Sequence, residues 1–142
     1  MTVKRRYTVE QANRTLPYVR AIVGDVRERY QAIQQRGRRH NALPKADEEL
    51  RRSLKSEIRD DARAIHDCMC ELEEIGIDLQ DYEKGLVHFP TELDGRPILL
   101  TWQWDEPSVG YWHEMDDRSH GRRPVPIDKP AWPLSAAPAA RG

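Results

Sequence analysis

The stretch from Arg96 to Asp117 constrains the fold most, because it combines strand patterning with aromatic bulk and several side chains that can bind ligands. Residues 105–108 supply turn chemistry, and residues 109–115 form the predicted return strand. An isolated hairpin is only marginally stable in water, so other elements must cover its apolar face. Residues 96–104 alternate as a half-buried strand does, with apolar side chains at Ile98, Leu100, Trp102 and Trp104.

The first element available to cover the hairpin is a long amphipathic helix, predicted over residues 8–37. Thr8 and Gln11 have the spacing of a capping box, and apolar residues then recur at alternating steps of three and four. Pro17 predicts a kink or a fresh start, since proline removes a hydrogen bond inside a helix. Gly37 is the predicted residue after the C-terminal cap.

A second amphipathic helix is predicted over residues 46–75, with Asp47 as its N-cap. Gly76 and Ile77 predict a Schellman ending, in which Ile77 contacts Leu72. The two helices form an antiparallel hairpin of coiled-coil type. Because their narrow seams leave apolar edges uncovered, we expect a twofold homodimer assembled through the helices. The seam positions that an aspartate should disrupt are Val23 and Val26.

A further strand is predicted at residues 85–90, joined to the strand over 96–104 by an Asp94-Gly95 tight turn. With the return strand at 109–115 this makes a three-stranded antiparallel β-meander. The predicted fold class is therefore α+β, a long antiparallel helical hairpin packed on a small meander. Residues 1–123 form one domain, and residues 124–142 are a Pro/Ala-rich disordered tail.

Composition narrows the function classes. The chain has 142 residues and a net charge of −1, so it has no overall field to attract nucleic acid, and such a role would need a local basic patch. There is no apolar run long enough to cross a membrane and no apolar signal-peptide core, which predicts a cytoplasmic protein with no membrane partner. Cys68 and Cys70 point apart on a helix and are expected to be reduced. The local basic clusters are Lys4–Arg6, Arg36–His40 and Arg122–Arg123.

The candidate site centres on His113, for which a hydrogen-bonded structural histidine, a metal or ligand contact, and a general acid or base are the alternatives. If Trp104 pairs with Val109, His113 lies opposite Leu100. The Asp94-Gly95 turn would pair His88 with Thr101, which puts the two histidines on opposite faces of the sheet.

The predicted ligand-binding residues are Tyr111, His113 and Arg122. For a metal site the predicted ligands are His113 and Asp117, which share a strand face and suit a divalent transition metal. Two ligands are too few for a tight site, so a third must come from a second subunit or from the second helix. The candidates on that helix are Glu71, Glu73 and Glu74.

Several short motifs occur together: Tyr7–Asn13, Leu16–Tyr18, Glu71–Gly76, Gly85–Pro90, Trp102, Tyr111–Glu114 and Gly121–Pro124. In combination they resemble the bacterial domain-of-unknown-function family 2203 over residues 7–124. The chain departs from the family pattern at His88, where the family carries Asp, and at residues 118–120, where it carries Gly-Phe-Ala. His113, Gly121 and Arg122 match it. The resemblance implies a helical hairpin followed by a β-meander and no established activity.

The chain contains no Gly-rich phosphate loop, no H-E-x-x-H, no paired C-x-x-C and no nucleophile elbow. A non-catalytic binding or interaction module is therefore the leading prediction. The first alternative is a metal- or small-ligand-dependent enzyme with a site around His113. The second is nucleic-acid binding through the local basic patches.

Overall fold

The computed structural model of the chain describes residues 6–116 and 121–134. Two helices precede a five-stranded sheet in which each strand pairs antiparallel with the next along the chain. The α+β class is confirmed, but the prediction of three strands is wrong. The two extra strands lie at the edges and have four and two residues, too few for a clear alternating pattern. The elements are α1 (Val9–Ala42), α2 (Glu48–Glu74), β1 (Asp78–Asp81), β2 (Leu86–Leu93), β3 (Arg96–Trp102), β4 (Tyr111–Glu114) and β5 (Arg123–Pro124).

Helix α1 begins where the sequence predicts and ends five residues later than expected. Both hydrogen bonds of the Thr8 to Gln11 capping box are present. The helix continues without a new start through Pro17 and through Gly37, where an added Cβ would meet nothing. It ends at Ala42, because Pro44 disfavours helical dihedrals in the preceding residue and Leu43 is extended at φ −80° and ψ 145°.

Helix α2 ends in the predicted Schellman motif. The Gly76 N–H donates to the Glu73 carbonyl and the Ile77 N–H to the Leu72 carbonyl, both at 2.9 Å. Gly76 has φ of +77°, which a residue with a side chain rarely adopts. At the other end Asp47 occupies the N-cap position, but its side chain makes no capping hydrogen bond.

One face of the sheet packs against the helices and forms the core; we call it the inner face. Helix α1 is fixed to it by polar contacts as well, since the Arg20 guanidinium lies 5.0 Å from the Trp102 ring centroid. A Cβ on Gly24 would lie 3.1 Å from the Trp104 ring, so the helix and the end of the sheet approach closely there. The fully buried strand residues of this face are Val87, Phe89, Thr91, Ile98, Leu100 and Trp102.

The apolar seam of α1 is covered by other residues of the same chain. Val23 and Val26 are completely buried and belong to the same core cluster as the strand residues. An aspartate at either position therefore tests folding rather than assembly. The twofold homodimer through the helices stays a prediction.

The chain after β5 turns back onto the start of α1. The carbonyl groups of Trp132 and Pro130 accept hydrogen bonds from the N–H groups of Val9 and Glu10, at 2.9 and 3.0 Å. These are N–H groups that a helix start leaves without intrahelical partners. Residues 125–134 of the predicted tail thus have no helix or strand but contact the core through the buried Val125 and the half-buried Trp132. Residues 135–142 lie outside the described residues.

The state of the two cysteines and the apolar length of the helices can also be compared with the sequence predictions. Cys68 and Cys70 are free thiols. Within residues 6–116 and 121–134, neither helix is long and apolar enough to cross a membrane.

Candidate ligand site on the outer sheet face

The register of the sheet places His88 and His113 on the same face, which corrects the prediction of opposite faces. His88 pairs with Thr101, as the Asp94-Gly95 turn predicts. His113, however, lies opposite Leu99 rather than Leu100. A shift of one residue moves every side chain of a strand to the other face. Both histidines therefore lie on the face turned away from the helices, which we call the outer face.

The shift arises in the connection between β3 and β4, which spans residues 103–110 instead of a four-residue turn. The Asn13 side chain of α1 pairs with the backbone of Val109 at the end of this connection. It accepts from the Val109 N–H at 2.7 Å and donates to the Val109 carbonyl at 3.3 Å. Helix α1 thus anchors the connection two residues before β4 begins, and the strand pattern gives no sign of this contact.

The two imidazole rings meet edge to face, with centroids 5.3 Å apart and an interplanar angle of 78°. His113 Nδ1 lies 2.6 Å from the Glu114 carbonyl oxygen. Since a carbonyl can only accept, Nδ1 carries the hydrogen, and Nε2 of His113 keeps its lone pair. Among the described residues, neither ring nitrogen of His88 has a hydrogen-bond partner. Nε2 of His113 and the ring nitrogens of His88 are therefore available to bind a ligand.

The environment keeps His88 uncharged at neutral pH. Burial, followed by the proximity of His113 and of the Arg122 guanidinium, lowers the pKa of His88 from 6.5 to about 4. A neutral imidazole is the form that acts as a base and as a metal ligand.

Arg122 is held beside the histidines by three hydrogen bonds. Its Nε donates to Thr101 Oγ1 at 2.9 Å, and its two terminal nitrogens donate to the Glu106 carboxylate at 2.7 and 2.9 Å. Its guanidinium carbon also lies 4.5 Å from the centroid of the Tyr111 ring. The bidentate pairing with Glu106 fixes the orientation of the guanidinium and balances its charge.

Glu106 is itself positioned by the connection to which it belongs. Its carboxylate accepts from the Gln103 N–H at 2.9 Å, and its carbonyl oxygen accepts from Trp102 Nε1 at 2.8 Å. Burial opposes ionisation, but the hydrogen bonds from Arg122 and Gln103 and the attraction of the guanidinium outweigh it. The pKa of the Glu106 carboxyl therefore falls below its ordinary value.

The structure brings together the three predicted ligand-binding residues, Tyr111, His113 and Arg122, on the outer face. The predicted metal ligand Asp117 lies outside the described residues. Among residues 6–116 and 121–134, no group of three His, Cys, Asp or Glu side chains could hold a metal ion. The glutamates of α2 at positions 71, 73 and 74 thus do not complete a site with His113 in that part of the chain.

Three residues of this arrangement were not among the predicted site residues. The predicted register places His88 on the opposite face and so excludes it, although its imidazole is a potential ligand in the sequence. Thr101 looked like an ordinary strand residue. Glu106 looked like part of a turn, because its role depends on the path of residues 103–110.

These features define a class: an α+β protein with a helical hairpin, a five-stranded meander and a polar constellation on the uncovered side of its sheet. The family model described as an uncharacterised conserved protein, DUF2203, matches residues 5–125. The chain therefore belongs to this family, which confirms the resemblance found in its motifs. No curated protein and no solved structure matches the chain.

Proposed function

We propose that this chain is a non-catalytic binding protein whose outer face binds a divalent transition-metal cation through His88 and His113. The observation that carries the proposal is the half-buried imidazole of His88, which faces His113 and has no hydrogen-bond partner among the described residues. An imidazole nitrogen that the described fold does not use, on a half-buried polar face, is available to a ligand.

The chemistry of the outer face favours a coordinated cation over an anion. The only guanidinium of the constellation, that of Arg122, is already balanced by the Glu106 carboxylate. His88 is neutral at pH 7 and offers a lone pair rather than a positive charge. An anion would therefore meet little unbalanced positive charge, whereas a metal cation would meet imidazole nitrogens ready to coordinate it.

The geometry of the pair agrees with a shared cation. Two imidazoles that bind one tetrahedral cation, at nitrogen–metal distances of about 2.0–2.1 Å, have ring centroids roughly 5 Å apart. The observed separation is 5.3 Å. His113 also donates its Nδ1 hydrogen to a backbone carbonyl, the arrangement that orients metal-binding histidines and leaves Nε2 for the metal.

Two imidazoles leave the remaining coordination positions to water or to a bound molecule. Such a site binds a cation more weakly than a closed four-ligand structural site, and its open positions can accept a small oxygen or nitrogen ligand. The proposed function is therefore to bind a small ligand through the metal cation. The cation is not proposed to stabilise the fold.

The test is a calorimetric titration of metal-free protein with zinc. His88→Asn and His113→Asn should each weaken zinc binding at least tenfold, because each removes one of two protein ligands. The control is His66→Asn, an exposed histidine of α2 whose Nε2 lies 3.6 Å from the Cys70 sulfur. If His66→Asn abolishes zinc binding and the other two variants retain it, the ion binds to α2 and the proposal is wrong.

A further inference from the structure

The far end of the helical hairpin concentrates positive charge. Residues 36–55, which we call the hairpin tip, contain seven Lys and Arg residues and three Asp and Glu residues. Its net charge is +4, whereas the whole chain carries −1, so the rest of the chain carries −5. The tip is therefore the positive pole of an otherwise negative molecule.

The tip lies beyond the hydrophobic core. The buried residues of α1 end at Val26, sixteen residues or about 24 Å before the end of the helix. Within the tip, Leu54 is the one buried residue. Its surface is thus presented to solvent on both helices and on the connection between them.

Two cations of the tip have structural roles. Arg36 forms ion pairs with Asp61 and Glu57 of α2. Arg51 donates to the carbonyl groups of His40 and Leu43 at 3.1 and 3.2 Å, so it closes the C-terminal end of α1. These two side chains hold the two helices together.

The other five cations have no structural partner. All are exposed, and none forms a hydrogen bond or ion pair within the described residues; they are Arg38, Arg39, Lys45, Arg52 and Lys55. Arg39, in the last turn of α1, is favoured there by the helix dipole. Arg52 and Lys55 follow the first turn of α2, the end of a helix that does not favour cations. Their charge therefore has no evident use in the fold.

The other basic clusters of the sequence differ from the tip. Arg122 is bound to Glu106, and Arg123 lies 4.0 Å from the Glu114 carboxylate. Arg6 pairs with Glu92, and residues 4 and 5 lie outside the described residues. In the described part of the chain, the free positive charge of these clusters is therefore at the tip.

We propose that the hairpin tip binds the phosphate backbone of a nucleic-acid duplex, independently of base sequence. Arginine guanidinium groups match phosphate geometry, and exposed cations gain affinity by releasing the counterions of the duplex. The tip has no Phe, Tyr or Trp, so it offers single-stranded bases no large stacking platform. Its exposed large apolar side chain is Leu50 alone, which is too little to anchor the tip in a lipid surface.

The experiment is fluorescence anisotropy with a labelled DNA duplex of mixed sequence, measured over a series of salt concentrations in the presence of a chelator. The chelator separates this test from the proposed metal site. The test variant replaces Arg38, Arg39, Arg52 and Lys55 by Gln. Its affinity should fall at least about tenfold at low salt, and the slope of log affinity against log salt should fall by up to about 3.6, or 0.9 for each lost phosphate contact.

The matched control removes the same charge elsewhere, by replacing Arg14, Arg63, Lys84 and Lys129, all exposed, with Gln. It should keep most of the affinity. Circular dichroism confirms that both variants remain helical. An equal loss in the two variants, no saturable duplex binding at low salt, or tighter binding to a single strand or to phosphatidylserine vesicles than to the duplex would each overturn the proposal.

Discussion

The two faces of the sheet are built from the same strands but differ in burial and in polarity. On the inner face Leu100 is completely buried, whereas on the outer face Tyr111 is 39% exposed. The inner face is mostly apolar, with Thr91 as a buried polar residue. The outer face holds two neighbouring imidazoles and a guanidinium that is oriented by the Glu106 carboxylate and the Thr101 hydroxyl. The inner face explains why the chain folds, and the outer face has chemistry that folding does not require.

The largest effect expected from this contrast concerns two adjacent leucines. Leu100→Ala should lower the free energy of unfolding by about 2 to 5 kcal/mol, because Leu100 is fully buried in the core. Leu99→Ala, on the half-buried outer face, should cost about 1 kcal/mol. Urea denaturation of both variants measures the difference. Equal losses would mean that the two faces are not distinct in packing.

The second prediction uses the pKa of His88 in metal-free protein. Because its folded pKa is about 4 and its ordinary value is 6.5, the unfolded chain binds the proton first as the pH falls. Stability due to the neutral ring is therefore intact above pH 6.5 and decreases towards pH 4, by roughly 3 kcal/mol.

The measurement for His88 is a comparison with His88→Asn, which removes the titrating group. The free energy of unfolding of the wild type should decline relative to the variant between pH 6.5 and 4. His113 and Arg122 are the charged or titratable groups that most influence this ring. Parallel pH profiles of the two proteins would show that His88 titrates in the folded state as it does in the unfolded state.

A smaller effect is expected at Glu106. Glu106→Gln should lower the free energy of unfolding by about 1 to 2 kcal/mol at pH 7, since it weakens two charge-assisted hydrogen bonds from Arg122. The folded pKa of Glu106 is depressed, so this contribution is present above its unfolded pKa and is lost as the pH falls through the folded value. The difference between wild type and variant should therefore shrink in acid.

The control for Glu106 is Glu83→Gln, an exposed glutamate outside the constellation. It should change stability by less than about 0.5 kcal/mol at any pH. If Glu106→Gln behaves in the same way, the Arg122 side chain is not held by this carboxylate in solution.

The same contrast shows how much of the molecule can be predicted from its sequence. Hydrophobic periodicity predicts both helices, and the terminal residues predict the capping box at Thr8 and the Schellman motif at Gly76, because these features depend on local sequence. The Asp94-Gly95 turn predicts the register of β2 against β3 for the same reason, and it has the positive φ values of such a turn.

The outer face could not be predicted in full because its register depends on long-range contacts. Asn13 binds Val109 across 96 residues of sequence, and Glu106 binds Arg122 across 16. Such contacts leave no periodic pattern. A one-residue error between β3 and β4 was enough to separate His88 from His113, although Tyr111, His113 and Arg122 were still identified as neighbours.

The most direct test of the proposed metal site is a zinc titration of metal-free protein, followed by long-range proton–nitrogen NMR of the imidazole rings. The account predicts that the ring nitrogen signals of His88 and His113 shift together and saturate with one zinc ion, and that Nε2 of His113 is the coordinating atom. The signals of His66 should stay unchanged over the same range. If the His66 signals shift and those of His88 and His113 do not, the outer face is not the metal-binding surface of this protein.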